Sequence, residues 1–161
     1  MLTRIQNYSI NDIKDGIRYL LGKASESLEV RGLAIEITQG NQDKIAAIYD
    51  WVKQTVGYVS DPVSNGAIEL FISPVRMIND YRSRIVVGGD CDDMAILTTA
   101  LCRSIGIRAN VVLIDQVGRG LDHAFCQAFS ETLHHWVSID PSTSKVPLGW
   151  DVKYREKIVI E

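Results

Sequence analysis

Cysteine is scarce in this chain: Cys91, Cys102 and Cys126 are the three in 161 residues. So sparse and odd a set excludes a disulfide-stapled scaffold and fits a reducing compartment. Long apolar runs are missing as well. No stretch approaches the ~20 apolar residues that a membrane helix needs. The opening Met1–Leu2–Thr3–Arg4–Ile5–Gln6–Asn7–Tyr8 lacks the apolar core of a signal peptide. The expected location is therefore the cytoplasm. Basic charge is not in excess, with 17 Lys and Arg against 20 Asp and Glu and a net charge of −3. That balance gives no reason to expect nucleic acid or a membrane surface as partner. Arg76, Arg82 and Arg84 read as a solvated face. Only four prolines occur, and no repeat or low-complexity tract marks a linker.

What is present is an ordinary globular composition, 46% apolar and 23% charged, in a length that buries one sizeable core. Residues 1–161 are expected to form one domain whose first part, about 1–56, is helical. Asn11 or Asp12 is the expected cap of a helix through Ile13, Ile17, Leu20 and Leu21. A second helix is expected to carry Leu28, Leu33, Ala34 and Ile37 and to end at Gly40. Asn41 is the expected cap of a third, with Ile45, Ile48, Trp51, Val52 and Val56 at helical spacing and Gly57 at its end. A turn is expected around Ser60–Asp61–Pro62. Residues 63–87 are harder to read, with an extended Glu69–Ser73 and a short helix over Arg76–Tyr81.

The second half is clearer. Asp90 is an N-cap and Asp93 its N3 partner, so a helix begins at Cys91 and presents Met94, Ala95, Leu97, Leu101, Cys102 and Ile105. Gly106 is its expected C′ residue. Strands are expected at Arg108–Asp115, Asp122–Ser130, Leu133–Asp140 and Lys157–Ile160. Helices followed by a mainly antiparallel sheet make an α+β chain. A hairpin closing near Glu131–Thr132 pairs Phe129 with His134, Gln127 with Trp136, Phe125 with Ser138 and His123 with Asp140. That register puts His123 and Asp140 on one face within hydrogen-bond reach, and a one-residue slip separates them.

Cys91, His123 and Asp140 are thus a candidate nucleophile, base and orienting acid. The start of a helix favours a thiolate. Asp92 and Asp93 oppose it, since nearby negative charge disfavours a second anion. Taken singly, Cys91 reads equally as a buried structural thiol, whereas His123 reads first as a structural histidine and Asp140, before Pro141, as a strand-end or turn residue. Their order and register favour chemistry at an amide or acyl carbon.

Gly88–Gly89–Asp90–Cys91–Asp92–Asp93–Met94–Ala95 resembles the nucleophile helix of the transglutaminase-like superfamily. His123–Ala124–Phe125 is similar to its His–Ala–aromatic segment, and Trp136 through Asp140–Pro141 to the strand that ends in its third catalytic residue. A weaker likeness reaches back to Ile48–Tyr49–Asp50–Trp51–Val52 and Tyr58, so a catalytic core of about 43–142 is covered. The resemblance implies a papain-like fold, Cys91 as nucleophile, His123 as base, Asp140 as its partner, and no cofactor. It implies cysteine-dependent acyl transfer on a peptide or glutaminyl amide, with hydrolysis slightly ahead of transglutamination. The doubled acid resembles small bacterial and tailed-phage members. An alternative is therefore a catalytically silent structural or binding protein, with a phage structural protein as partner and the virion as a location.

Other candidates read more weakly. Cys91, Cys126, His123, His134 and His135 lack the close pairs of a structural zinc site. Asp90, Asp92 and Asp93 lack the ligand spacing of a calcium loop. No metal is expected. Gly118–Arg119–Gly120 reads as a solvated turn or as a cleft-edge loop whose Arg119 receives an acidic substrate group. Trp136 reads as core filling or cleft lining, and Cys102 as core.

Overall fold

Ser9, rather than Asn11 or Asp12, starts the first helix. In the computed structural model, which describes residues 2–6, 9–59, 68–144, 146–150 and 152–161, strand β1 (Leu2–Gln6) precedes helix α1 (Ile10–Ser25). The Ser9 hydroxyl accepts from the Asp12 amide at 3.3 Å, and the Asp12 carboxylate takes the Ser9 amide at 2.9 Å. The acid expected as cap is thus the N3 partner in a capping box. Helix α2 (Leu28–Thr38) begins at Ser27 and stops before Gly40, whose φ is +75°. Asn41 belongs to that end, donating its side-chain amide to the Ile37 carbonyl at 3.2 Å. Helix α3 (Lys44–Thr55) is capped instead by Asp43, which accepts from the Ala46 amide at 2.9 Å.

Strand β2 (Val56–Tyr58) follows at once, so α3 ends one residue before the expected Val56. The turn expected at Ser60–Pro62 lies outside the described residues. Strand β3 (Ile68–Ile72) pairs antiparallel with β1. Helix α4 (Pro74–Arg82) contains the expected short helix. Its extra turn comes from Ser73 as cap and Pro74 at the first position, where a missing amide hydrogen costs nothing. Strand β4 (Val87–Gly89) lies parallel to β2 and delivers the chain to helix α5 (Cys91–Ser104).

Helix α5 is the axis of the molecule. Every residue from Asp93 to Cys102 is buried, with α1, α2 and α3 on one side and strands on the other. It ends as the sequence predicts: Gly106, at φ +85°, donates to Arg103, and Ile107 to Cys102, the paired bonds of a Schellman motif.

Strands β5 (Ala109–Asp115), β6 (His123–Ser130), β7 (His135–Ile139) and β8 (Glu156–Ile160) form an antiparallel sheet in the order β7-β6-β5-β8. One face, with Val111, Leu113, Ala124, Cys126, Ala128, Ile139 and Ile160, joins the main core with α5. On the other face Val112, Ile114 and Phe125 form a smaller cluster with Val152 and Val159. The architecture is the expected α+β arrangement, a central helix packed against an antiparallel sheet.

The hairpin register differs from expectation. Gln127 faces Ser138, Phe129 faces Trp136 and Ser130 faces His135, two residues away from the expected pairing. The cause is the tip. Residues 131–134 form a four-residue turn closed by the His134 amide on the Ser130 carbonyl at 2.8 Å, with His134 at φ +55°. An even shift keeps every side chain on its face, so His123 and Asp140 still share one, now as diagonal neighbours.

Candidate active site

The first turn of α5 is set by two aspartates. Asp90 accepts the Asp93 amide at 3.2 Å, and Asp93 accepts the Asp90 amide at 3.1 Å, completing the capping box. The other oxygen of Asp93 accepts the Ile72 amide at 2.8 Å, tying the end of β3 to the start of the helix. Gly89 is required here, because a Cβ on it would lie 2.8 Å from that of Asp93. Strand β2 braces the approach, with the Val59 amide on the Gly89 carbonyl at 2.9 Å.

Cys91 is half-buried at the first helical position. Its thiol donates to the Asp92 carboxylate at 3.9 Å, and the backbone amide of Ala124 is near enough to favour the anionic sulfur. Of the opposed electrostatic expectations, the one against a resting thiolate prevails. Burial is the largest influence and Asp92 the next, and together they push the thiol above its ordinary value. The Ala124 amide opposes them, while Asp90 and Asp140 add to the rise.

His123 opens β6 beside Ala124. Its Nε2 lies 2.6 Å from Oδ2 of Asp140, the residue after β7. Asp140 is 5% exposed, whereas His123 is only partly buried. With Nε2 engaged, Nδ1 is the ring nitrogen left for a reacting proton. The other oxygen of Asp140 accepts both the amide (3.2 Å) and the hydroxyl (2.5 Å) of Ser142. Sequence reasoning missed Ser142. The Asp–Pro–Ser order, which favours an aspartate side chain folding back on an amide two residues on, is the signal that could have found it.

The structure therefore brings Cys91, His123 and Asp140 to one end of the sheet. The histidine and the acid are in direct contact. Cys91 meets Asp92 and Ala124 instead, and no hydrogen bond joins it to His123 among the described residues.

The remaining candidates lie elsewhere. Cys102 and Cys126 are wholly buried in the core, one on α5 and the other on β6. His134 and His135 are exposed at the hairpin tip. Trp136 neither fills the core nor lines the site. It is 41% exposed at the far end of the sheet, edge-on to Phe129 at 5.6 Å, with the Arg108 guanidinium above both rings. That placement follows from the register, which pairs it with Phe129 rather than Gln127. Arg76 and Arg82 are taken by Asp80 and Glu36, as a solvated face requires.

The sequence model of the transglutaminase-like superfamily matches residues 31–141, starting earlier than the resemblance read from the motifs. The fold is similar to that of a candidate cysteine protease from Cytophaga hutchinsonii, at TM-score 0.55 and 23% identity over 88% of this chain and 49% of that one. It is similar to LapG of Legionella pneumophila, at TM-score 0.56 and 18% identity over 98% of this chain and 87% of that one. A candidate protease from Parabacteroides distasonis is a third, at TM-score 0.53 and 13% identity over 84% and 30%. The chain thus spans about half of the Cytophaga protein and under a third of the Parabacteroides one. No protein of curated function matches it. With most of its length matched by the family's sequence model, the chain belongs to the transglutaminase-like superfamily, a group of cysteine-dependent hydrolases and transferases.

Proposed function

We propose that the protein is a cysteine-dependent acyltransferase acting on a peptide or glutaminyl amide, with water as the usual acceptor. The observation that supports this best is the 2.6 Å contact of His123 with the buried Asp140, at the start of the strand whose next residue, Ala124, lies beside Cys91. The names of the Cytophaga and Parabacteroides proteins favour hydrolysis over amine transfer.

The resting thiol is protonated, so its proton leaves as the substrate arrives. Nδ1 of His123 takes that proton while Sγ of Cys91 attacks the carbonyl carbon. Asp140, bonded to Nε2, fixes the tautomer and stabilises the imidazolium. The Cys91 amide has no acceptor one turn back and is the proposed donor to the oxyanion. Collapse breaks the C–N bond, His123 returns its proton to the departing amine, and a thioester remains. Water attacks the thioester with His123 as base, releasing the acid and restoring the thiol. An amine in place of water gives transglutamination.

Two assays test this: cleavage of labelled casein, and alkylation of Cys91 by iodoacetamide across pH, read by mass spectrometry beside Cys102 and Cys126. Cleavage is expected to vanish in Cys91→Ala and to fall by about 10²-fold or more in His123→Ala. Alkylation of Cys91 is expected to climb at higher pH than that of an ordinary thiol near ~8.5, because burial and Asp92 raise it. His123→Ala should slow it further at neutral pH.

The raised thiol also favours a second reading, a silent scaffold that binds a partner such as a phage structural protein. Alkylation at Cys91 indifferent to His123, with no cleavage, selects that reading.

A further inference from the structure

The connection from β5 to β6 is long for a hairpin loop, and loops of this kind are ordinarily mobile. This one is built around a buried carboxylate. Asp115 accepts the amides of Val117 (3.1 Å), Gly118 (2.6 Å) and Arg119 (3.2 Å) on one oxygen and of Gly120 (3.1 Å) on the other. Asp122 closes the base, accepting the Gln116 amide at 3.2 Å and donating its own to the Ile114 carbonyl at 3.0 Å. Positive φ at Gly118 (+83°) and Gly120 (+102°) lets successive amides turn inward. Burial pushes Asp115 up, and the four amides outweigh it, leaving the group below its ordinary value and charged. Its charge is spent on the backbone.

Arg119 stands exposed on this fixed loop. Arg155, just before β8, lies across Gly118, with its Cδ 3.2 Å and Nη1 3.5 Å from where a Cβ would sit. Its amide donates to the Asp115 carbonyl at 2.7 Å, so it is fixed to the same base. Two guanidinium-bearing side chains thus belong to one frame. Neither has a carboxylate within ion-pair distance among the described residues, whereas Arg18, Arg76, Arg82 and Arg108 each have one. The pairing of Ile114 with His123 and of Asp115 with Glu156 sets the loop and Arg155 at the end of the sheet that holds His123 and Asp140. Two like charges carried on one frame at a rim favour an anion, and a guanidinium fork matches a carboxylate.

We propose that Arg119 and Arg155 form a carboxylate-receiving subsite, so that the preferred peptide carries an acidic group beside the amide that Cys91 attacks. The proposal rests on the catalytic reading for its position along the substrate. The carboxylate is either an acidic side chain or a free peptide C-terminus.

The test uses full-length Cys91→Ala protein and two sets of labelled hexapeptides, with binding read by fluorescence polarisation. One set has an amidated C-terminus and places Glu or Gln at each position in turn. The other has only uncharged side chains and a free or an amidated C-terminus. A preference of about five- to tenfold for the carboxylate form is expected in one set, which identifies its source. It should fall to within about twofold in Arg119→Gln and in Arg155→Gln, and be partly retained in Arg155→Lys, which keeps the charge but not the fork. Adding about 0.5 M salt should weaken it. Thermal unfolding of each variant separates lost binding from lost fold. No preference in either set, or a preference that both glutamine variants retain, overturns the subsite. Alkylation of Cys91 in the unsubstituted protein separates the two readings. A reactive, His123-dependent Cys91 without carboxylate preference sinks the subsite alone. A Cys91 indifferent to His123 with the preference intact sinks the catalytic reading and leaves a site for acidic peptides.

Discussion

Helices α1 and α5 begin with the same device, a capping box closed by an aspartate at N3, yet the two boxes do different work. At α1 the box of Ser9 and Asp12 is exposed, and its side-chain hydrogen bonds among the described residues stay within its own turn. At α5 the box of Asp90 and Asp93 is buried, and the spare oxygen of Asp93 reaches Ile72 on another strand. Gly89 leaves room for that side chain, and Cys91 is the residue the turn carries. A local motif that only starts a helix in one place becomes, in the other, the joint on which the proposed nucleophile is mounted. Burial makes the difference, since hydrogen bonds to a buried carboxylate cannot be replaced by water.

Substitutions that break the two boxes should separate them. Asp93→Ala removes the cap partner and the link to Ile72, and is expected to cost about 3 kcal/mol or more in urea unfolding. Gly89→Ala forces a Cβ against Asp93 and should cost about 2 kcal/mol, with Cys91 alkylation altered in the fraction that stays folded. Ser9→Ala should cost about 1 kcal/mol and leave the alkylation profile of Cys91 unchanged. Asp92→Asn sharpens the contrast without touching either box. It removes the carboxylate that raises the thiol, so the Cys91 profile should move to lower pH and its alkylation at pH 7 should quicken. A profile that stays in place would mean that burial alone holds the thiol protonated.

Asp115 gives a pH counterpart. Its folded pKa is depressed, so the stability it contributes is present above its unfolded value near ~3.9. That contribution is lost as pH falls through the lower folded value. Protection of the Val117–Gly120 amides, taken relative to their intrinsic exchange rate at each pH, should therefore be high at neutral pH and fall in acid ahead of that of the β5 and β6 amides.

How much of this was legible depends on how local each signal is. The second box was readable because Asp90 and Asp93 stand three apart before an apolar run, and Gly106 marked the far end of the same helix. The caps of α1 and α3 were misplaced because several short polar residues compete at each start, and only the geometry tells Ser9 from Asp12 or Asp43 from Asn41. Cys91, His123 and Asp140 were each readable from their motifs. The contact of His123 with Asp140 followed from strand parity even though the register was two residues off. Ser142, the Asp115 cradle and the reach of Asp93 to Ile72 were missed, since a sequence does not print which amides converge on a carboxylate.

The face that β6 turns toward α5 carries Ala124, Cys126 and Ala128, small residues at every second position. Side-chain volume there acts as a shim between helix and strand, and so sets the gap across which Cys91 faces the start of β6. Ala124 is the thin end of that shim nearest the proposed chemistry, and Ala128 lies at the opposite end. Thickening the first spreads the gap where the sulfur lies, whereas thickening the second tips the helix like a lever. The working distance of this protein is thus recorded in methyl groups, the least reactive atoms near its site.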